Sequence, residues 1–222
     1  MLETPRIRLL PYSGNNAGAM RTISRKGLDW RWVTTMEHKE NKEFKRAIRE
    51  LKRLKGHQRN WFVSGFVDGE GSFNVSFARQ SSRPTGFLIN PKFQVYQHRD
   101  HEEILWFMKD VLGAGRIDKK WGTDVRVLTI ENRKTLQEKI IPFFQKYFLI
   151  TKRKTFGIFV DVINRMEQGE HLTLDGFLNI VNLSYHMNQH GKARKIPKMK
   201  LIQEIKSNFR QFKNPQRLHA GP

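Results

Sequence analysis

The chain has no cysteine. Disulfides and cysteine-ligated zinc are therefore excluded. It lacks any apolar run of about eighteen residues, so no membrane-crossing helix is expected. Its N-terminus carries no continuous apolar core of the signal-peptide kind. Acids are scarce as well: 21 Asp and Glu stand against 41 Lys and Arg, a formal charge of +20 in 222 residues with a pI near 10.4. Such an excess attracts phosphate polyanions and makes binding steeply salt dependent. It names a class of partner only, because duplex DNA, RNA and acidic membranes all fit it. The length suits one compact domain with extensions.

The densest pattern runs from Trp61 to Phe73, an apolar helix that ends in Asp68 and Glu70 among three glycines. Gly65 and Gly69 lie four apart and so share one helix face. Without side chains there, another backbone can approach closely. Two readings stand. An acid held where helices touch is costly unless it binds something such as a metal. The alternative is a tight helix–strand turn with a capping acid.

After Gly71 the sequence alternates. Phe73, Val75 and Phe77 point to one side, and Ser72, Asn74, Ser76 and Ala78 to the other. A turn-rich stretch from Gln80 to Gly86 follows. The second alternating run sets Phe87, Ile89, Phe93 and Val95 against Asn90, Lys92, Gln94 and Tyr96. Paired, the two strands share one greasy face and one face rich in amides and hydroxyls. Asn and Gln there suit base edges in a groove, while an ordinary solvated sheet face is the competing reading.

Four stretches are expected. Residues 1–36 read as an irregular N-terminal arm. Its arginines, with Glu3 the one acid before Asp29, have the composition of an organelle transit peptide, whereas Asp29, Trp30 and Trp32 suit an ordered arm. Residues 37–57 read as a charged helix, mainly solvated, with a narrow stripe of Phe44, Ile48, Leu51 and Leu54. Residues 58–190 form the core, and 191–222 a basic C-terminal helix and tail. Within the core, Asp100 is expected to cap a helix reaching Leu112. A second hairpin spans Arg116–Trp121 and Val125–Ile130, its inward residues unresolved between Val127, Leu128 and Thr129. Asn132 caps a further helix, and helices follow at Lys152–Met166, 172–189 and 197–213. This order gives an α+β fold with one antiparallel four-stranded sheet and helices on a single face.

On these residues the chain resembles the LAGLIDADG homing endonucleases, in particular the single-motif, homodimeric kind from introns of organelle ribosomal RNA genes. Val63-Ser64-Gly65-Phe66-Val67-Asp68-Gly69-Glu70-Gly71 matches the nine-residue signature. Phe93-Gln94-Val95-Tyr96-Gln97, Gly113-Ala114-Gly115-Arg116-Ile117 and Ile141-Pro142-Phe143-Phe144 follow in the family's order. The resemblance implies a curved sheet that forms a saddle on duplex DNA. It implies a homodimer through Gly65, Phe66 and Gly69, and no membrane partner. Glu70 and the Gly69 carbonyl would bind Mg²⁺, with Mn²⁺ expected to substitute. Glu70, Gln97 and Lys152 would be catalytic, with Lys154 the fallback for Lys152. DNA contacts are expected from Asn74, Ser76, Gln80, Asn90, Lys92, Gln94, Tyr96, Arg116, Asp118 and Lys120. One carboxylate per chain suits magnesium best when two chains meet on a pseudo-palindromic site. The implied location is an organelle, chloroplast or mitochondrion. The competing function on this scaffold is an intron RNA maturase or an inactive nucleic-acid binder.

Three other constellations carry less. Asp175–Val181 echoes the motif but has Asn179 and Val181 at the acidic positions, so an amphipathic helix is expected. His186, Asn188 and His190 lack the hairpin of an HNH nuclease and fall in one predicted helix. His98 and His101 lack a third metal ligand.

Overall fold

The computed structural model describes residues 42–187 and 194–213. Its centre is one antiparallel sheet of β1 (Gly71–Arg79), β2 (Phe87–His98), β3 (Arg116–Lys119) and β4 (Val125–Ile130), in the order β1-β2-β4-β3. The helices are α1 (Lys42–Arg53), α2 (His57–Glu70), α3 (Glu103–Leu112), α4 (Arg133–Thr135), α5 (Ile141–Lys146), α6 (Arg153–Glu167), α7 (Leu174–Ser184) and α8 (Lys198–Lys213). The period-two pattern sets the sheet's sides. Phe73, Val75, Phe93, Val95, Leu128 and Ile130 are buried together with Val63, Val67, Leu105, Met108, Phe144, Phe159 and Ile163 from the helices. The fold is therefore α+β, as the alternation and element order predict.

The register settles the second hairpin. Ile117 pairs with Leu128, and Gln94 with Thr129. Leu128 thus faces the core, while Thr129 faces the polar side, where Gln94 donates to its hydroxyl. Strand β3 stops at Lys119, and Lys120 and Trp121 belong to the turn. Pro91 sits inside β2, but β4 reaches β2 only from Phe93 onward, so Pro91 interrupts no four-stranded ladder.

Several element ends differ from the sequence expectation. Asp100 does not cap α3; it lies in a 3₁₀ turn, Arg99–His101, where its N–H donates to the His98 ring. Asn132 does cap its helix, accepting from the Thr135 N–H. That helix then runs into α5 through a π turn, Leu136–Ile140, which absorbs Pro142 at the start of α5. The helix expected at 172–189 ends at Ser184. Residues 1–36, with the expected arm, lie outside the described residues. The charged helix is not simply solvated: Phe44 and Ile48 bury against Trp106 of α3, and Leu51 joins the main core. Helix α8 also reaches that core, through Leu201 and Ile205.

Candidate active site and nucleic-acid face

Helix α2 divides its surface three ways. Val63 and Val67 are fully buried in the core. Ser64 and Asp68, four apart, hold the loop that leads into α6. The Ser64 hydroxyl lies within hydrogen-bond distance of the Tyr147 and Phe148 carbonyls, at 2.8 and 3.1 Å. The N–H groups of Ile150, Thr151 and Lys152 donate to the Asp68 carboxylate at 3.2, 3.0 and 3.0 Å. The third face, Gly65 and Gly69, is open: a Cβ added at either meets no atom within 4 Å. Around it, Phe66 is half-buried and Trp61, Phe62, Phe148 and Ile150 are exposed.

The end of α2 gathers the expected catalytic groups. A Cβ at Gly71 would fall 2.6 Å from the Val67 side chain and 2.7 Å from its carbonyl, so only glycine lets the chain turn directly from helix to strand. Glu70 stands on that turn, exposed. The Lys152 ammonium donates to the Asp68 and Gly69 carbonyls at 2.6 and 2.8 Å. It therefore occupies two of the last carbonyls of the helix, the second of them next in sequence to Glu70. Gly71 pairs with Val95, so Gln97, two residues further along β2, lies alongside the end of α2. Its side-chain oxygen accepts from the His98 N–H. Burial pushes the Asp68 carboxyl up, but donation from Thr151, Lys152 and Ile150 outweighs it and holds the group below its ordinary value. Lys154 lies exposed on α6 and makes none of these contacts.

The polar side of the sheet carries several small hydrogen-bonded groups. Asn74 donates to the Gln94 side-chain oxygen at 3.1 Å, and the Tyr96 hydroxyl donates to the same oxygen at 3.1 Å. The Ser76 hydroxyl donates to the Asn90 carbonyl at 3.3 Å. Lys92 pairs with Glu131 at 2.7 Å, and Arg116 bridges Glu131 and Asp118. Donation from Lys92 and then Arg116 holds the Glu131 carboxyl below its ordinary range. The Lys120 ammonium lies over the Tyr96 ring at 5.7 Å. Asn74, Ser76, Asn90, Lys92, Gln94, Tyr96, Arg116, Asp118 and Lys120 thus fall on one side of the hairpins. Gln80 lies past the end of β1, with its side-chain oxygen buried.

Sequence reading missed three members of this surface. Thr129 and Glu131 join these groups, a role that needs the β2–β4 register. Trp121 stands 96% exposed at the β3–β4 turn, between basic residues and a hydrogen-bonded Lys120–Val125 closure; its neighbouring lysines were the available signal.

The remaining constellations resolve simply. Asp175–Val181 lies in α7, an amphipathic helix that buries Phe177, Ile180 and Val181. His186 is exposed just past α7, and Asn188 and His190 lie outside the described residues. The His98 Nδ1 that accepts from the Asp100 N–H also lies 3.2 Å from an Asp100 carboxylate oxygen. Among the described residues, no group of three or more His, Asp or Glu could hold a metal ion by itself.

Known proteins are similar to this chain in sequence and fold. The sequence model of a family described as LAGLIDADG endonuclease matches residues 63–164. DNA endonuclease I-CeuI of Chlamydomonas moewusii is 30% identical over 157 residues, which cover 67% of this chain and 72% of that protein. The archaeal intron-encoded homing endonuclease I-Vdi141I, solved in complex with DNA, superposes with a TM-score of 0.64 at 30% identity, covering 69% of this chain and 98% of that one. I-SmaMI, solved on an uncleaved DNA target with calcium ions, gives 0.58 at 30% identity, and there 60% of this chain matches only 46% of the other.

Proposed function

The chain belongs to the LAGLIDADG homing endonuclease family, and on that premise we propose that two copies cut a long pseudo-palindromic DNA site, one phosphodiester per strand, and so promote intron mobility. We place this activity in the organelle that carries the intron, chloroplast or mitochondrion. Two comparisons support the pairing: the chain matches nearly all of one relative and under half of another. The open Gly65 and Gly69 face, rimmed by exposed aromatic residues, suits the close approach of a second α2.

The observation that carries the reading is the Lys152 ammonium seated on the Asp68 and Gly69 carbonyls, at the helix end that carries Glu70, with its backbone held by the Asp68 carboxylate. The donors there fit Mg²⁺, with Mn²⁺ as a substitute. Glu70 and the Gly69 carbonyl would offer the oxygen ligands that hard cations require, the carbonyl once the Lys152 ammonium has left it. One chain supplies too few side-chain ligands, so phosphate oxygens and the second chain's carboxylate would complete the shell. When bound, the ion supplies charge neutralisation and a more acidic water. Gln97 would orient the attacking water through its amide. Lys152 would swing from the two carbonyls to the phosphate and offset the negative charge that develops there. Asn74, Gln94 and their neighbours would exchange their mutual hydrogen bonds for base edges.

The test is a supercoiled plasmid carrying a duplex that the protein selects from a randomised library. Magnesium-dependent linearisation is expected. Glu70→Gln should abolish it while leaving DNA binding intact. Tight binding of intron RNA without any DNA cleavage would overturn the proposal in favour of a maturase.

A further inference from the structure

Beyond Phe93 the sheet narrows to two strands. Residues 75–79 of β1 pair only with residues 87–91 of β2. A two-stranded ribbon has marginal stability by itself. This ribbon carries Ser76 and Asn90 of the polar side, and its outer β1 edge would be free.

The segment from Arg194 through α8 ties it down at three heights. At the base, the Arg194 guanidinium donates to the Val75 carbonyl at 2.8 Å and to the Ser184 carbonyl at 2.6 Å. It also lies over the rings of Tyr185 and Phe77, at 4.5 and 5.6 Å. At the strand end, Arg79 pairs with Glu204 of α8 at 2.7 Å. At the tip, the Asn208 amide donates to the Thr85 carbonyl at 3.1 Å. The next residue, Gly86, has a φ of +72°, and a Cβ there would fall 2.1 Å from the Asn208 nitrogen. Beneath the ribbon, Leu201 and Ile205 share one core with Phe87 and Ile89.

We propose that α8 is a positioning clamp for the β1–β2 ribbon, and that Glu204 and Asn208 set base discrimination in the outer part of each DNA half-site without touching DNA. The proposal rests on the sheet being the DNA-reading surface. Glu204 and Asn208 lie on the side of the ribbon opposite its amide-rich face, so their influence passes through the ribbon's pitch. A loosely held ribbon would still find phosphates but would meet base edges at variable depth, and specificity needs fixed depth.

The test uses the full chain with Glu204→Gln combined with Asn208→Ala, and each change singly in case the pair fails to fold. Amide exchange in residues 76–90 should rise ~10-fold or more, while α3 and β4 stay protected. The second measurement is competitive binding of the library-selected duplex, substituted one base pair at a time. Discrimination should flatten at the outer positions and persist at the central ones, with affinity for the unsubstituted duplex changed less than ~10-fold. Asn208→Gln, which keeps an amide donor, should restore part of the profile. Unchanged exchange in 76–90 overturns the clamp. Raised exchange with an unaltered profile overturns its role in specificity. Cleavage by the wild type is scored separately, so a chain that binds and discriminates but never cuts would sink the nuclease reading and leave the clamp standing.

Discussion

The Asp68 carboxylate braces the loop that enters α6. It accepts from the N–H groups of Ile150, Thr151 and Lys152, the three residues just before that helix, whose own N-cap residue, Lys152, makes no side-chain capping bond. Removing a charged acceptor that several backbone N–H groups share costs about 1–3 kcal/mol. Asp68→Ala should lose roughly that much stability at neutral pH and misplace Lys152 as well. The effect depends on pH in a definite sense. Because the folded carboxyl titrates below its ordinary 3.8, its contribution is complete above that value and vanishes as pH falls through the lower folded pKa. The gap in denaturation midpoint between wild type and Asp68→Ala should close as the buffer is acidified past 3.8. A gap that stays constant into strong acid would mean the charge on Asp68 is irrelevant to the brace. The sequence pointed to Asp68 only as a carboxylate of uncertain use. Its partners lie 82 to 84 residues away, at a distance no local pattern reports.

Elements were legible where one period governed them. The alternation at Phe73–Phe77 and Phe87–Val95 gave both long strands and their faces, and the glycines flanking α3 and β3 marked their ends. Where two helical segments fuse, a π turn, Leu136–Ile140, joins them just before Pro142, and no local period announces it. The mainly solvated reading of α1 failed because it weighed charge count above the Phe44–Ile48 stripe, and no local signal reveals that Trp106 offers a landing place. Helix α2 supports a sharper prediction. Gly65 meets nothing within 4 Å in one chain, so a side chain there costs the monomer nothing sterically. Gly65→Leu should leave the isolated fold as stable or up to ~1 kcal/mol more stable, since glycine is a poor helix former. It should nevertheless abolish pairing. Sedimentation reporting a dimer for this variant would show that α2 is not the contact.

For the whole molecule, charge and topology act together. A formal +20 on 222 residues sits on a fold whose polar side already arranges Lys92, Arg116 and Lys120 in one field. DNA affinity should therefore fall at least ~10³-fold between ~50 and ~200 mM salt. A titration with weaker salt dependence would imply few phosphate contacts and undercut the sheet as the docking surface.

Strand β2 has a wider consequence. Its twelve residues, at ~3.3 Å each, extend about 40 Å, the axial length of roughly twelve stacked base pairs. In the proposed pair, two such rulers laid end to end would measure an address long enough to be rare among the ~10⁶–10⁹ positions a genome offers. On that proposal, the length of one strand would set how seldom the host's chromosomes offer a place to cut.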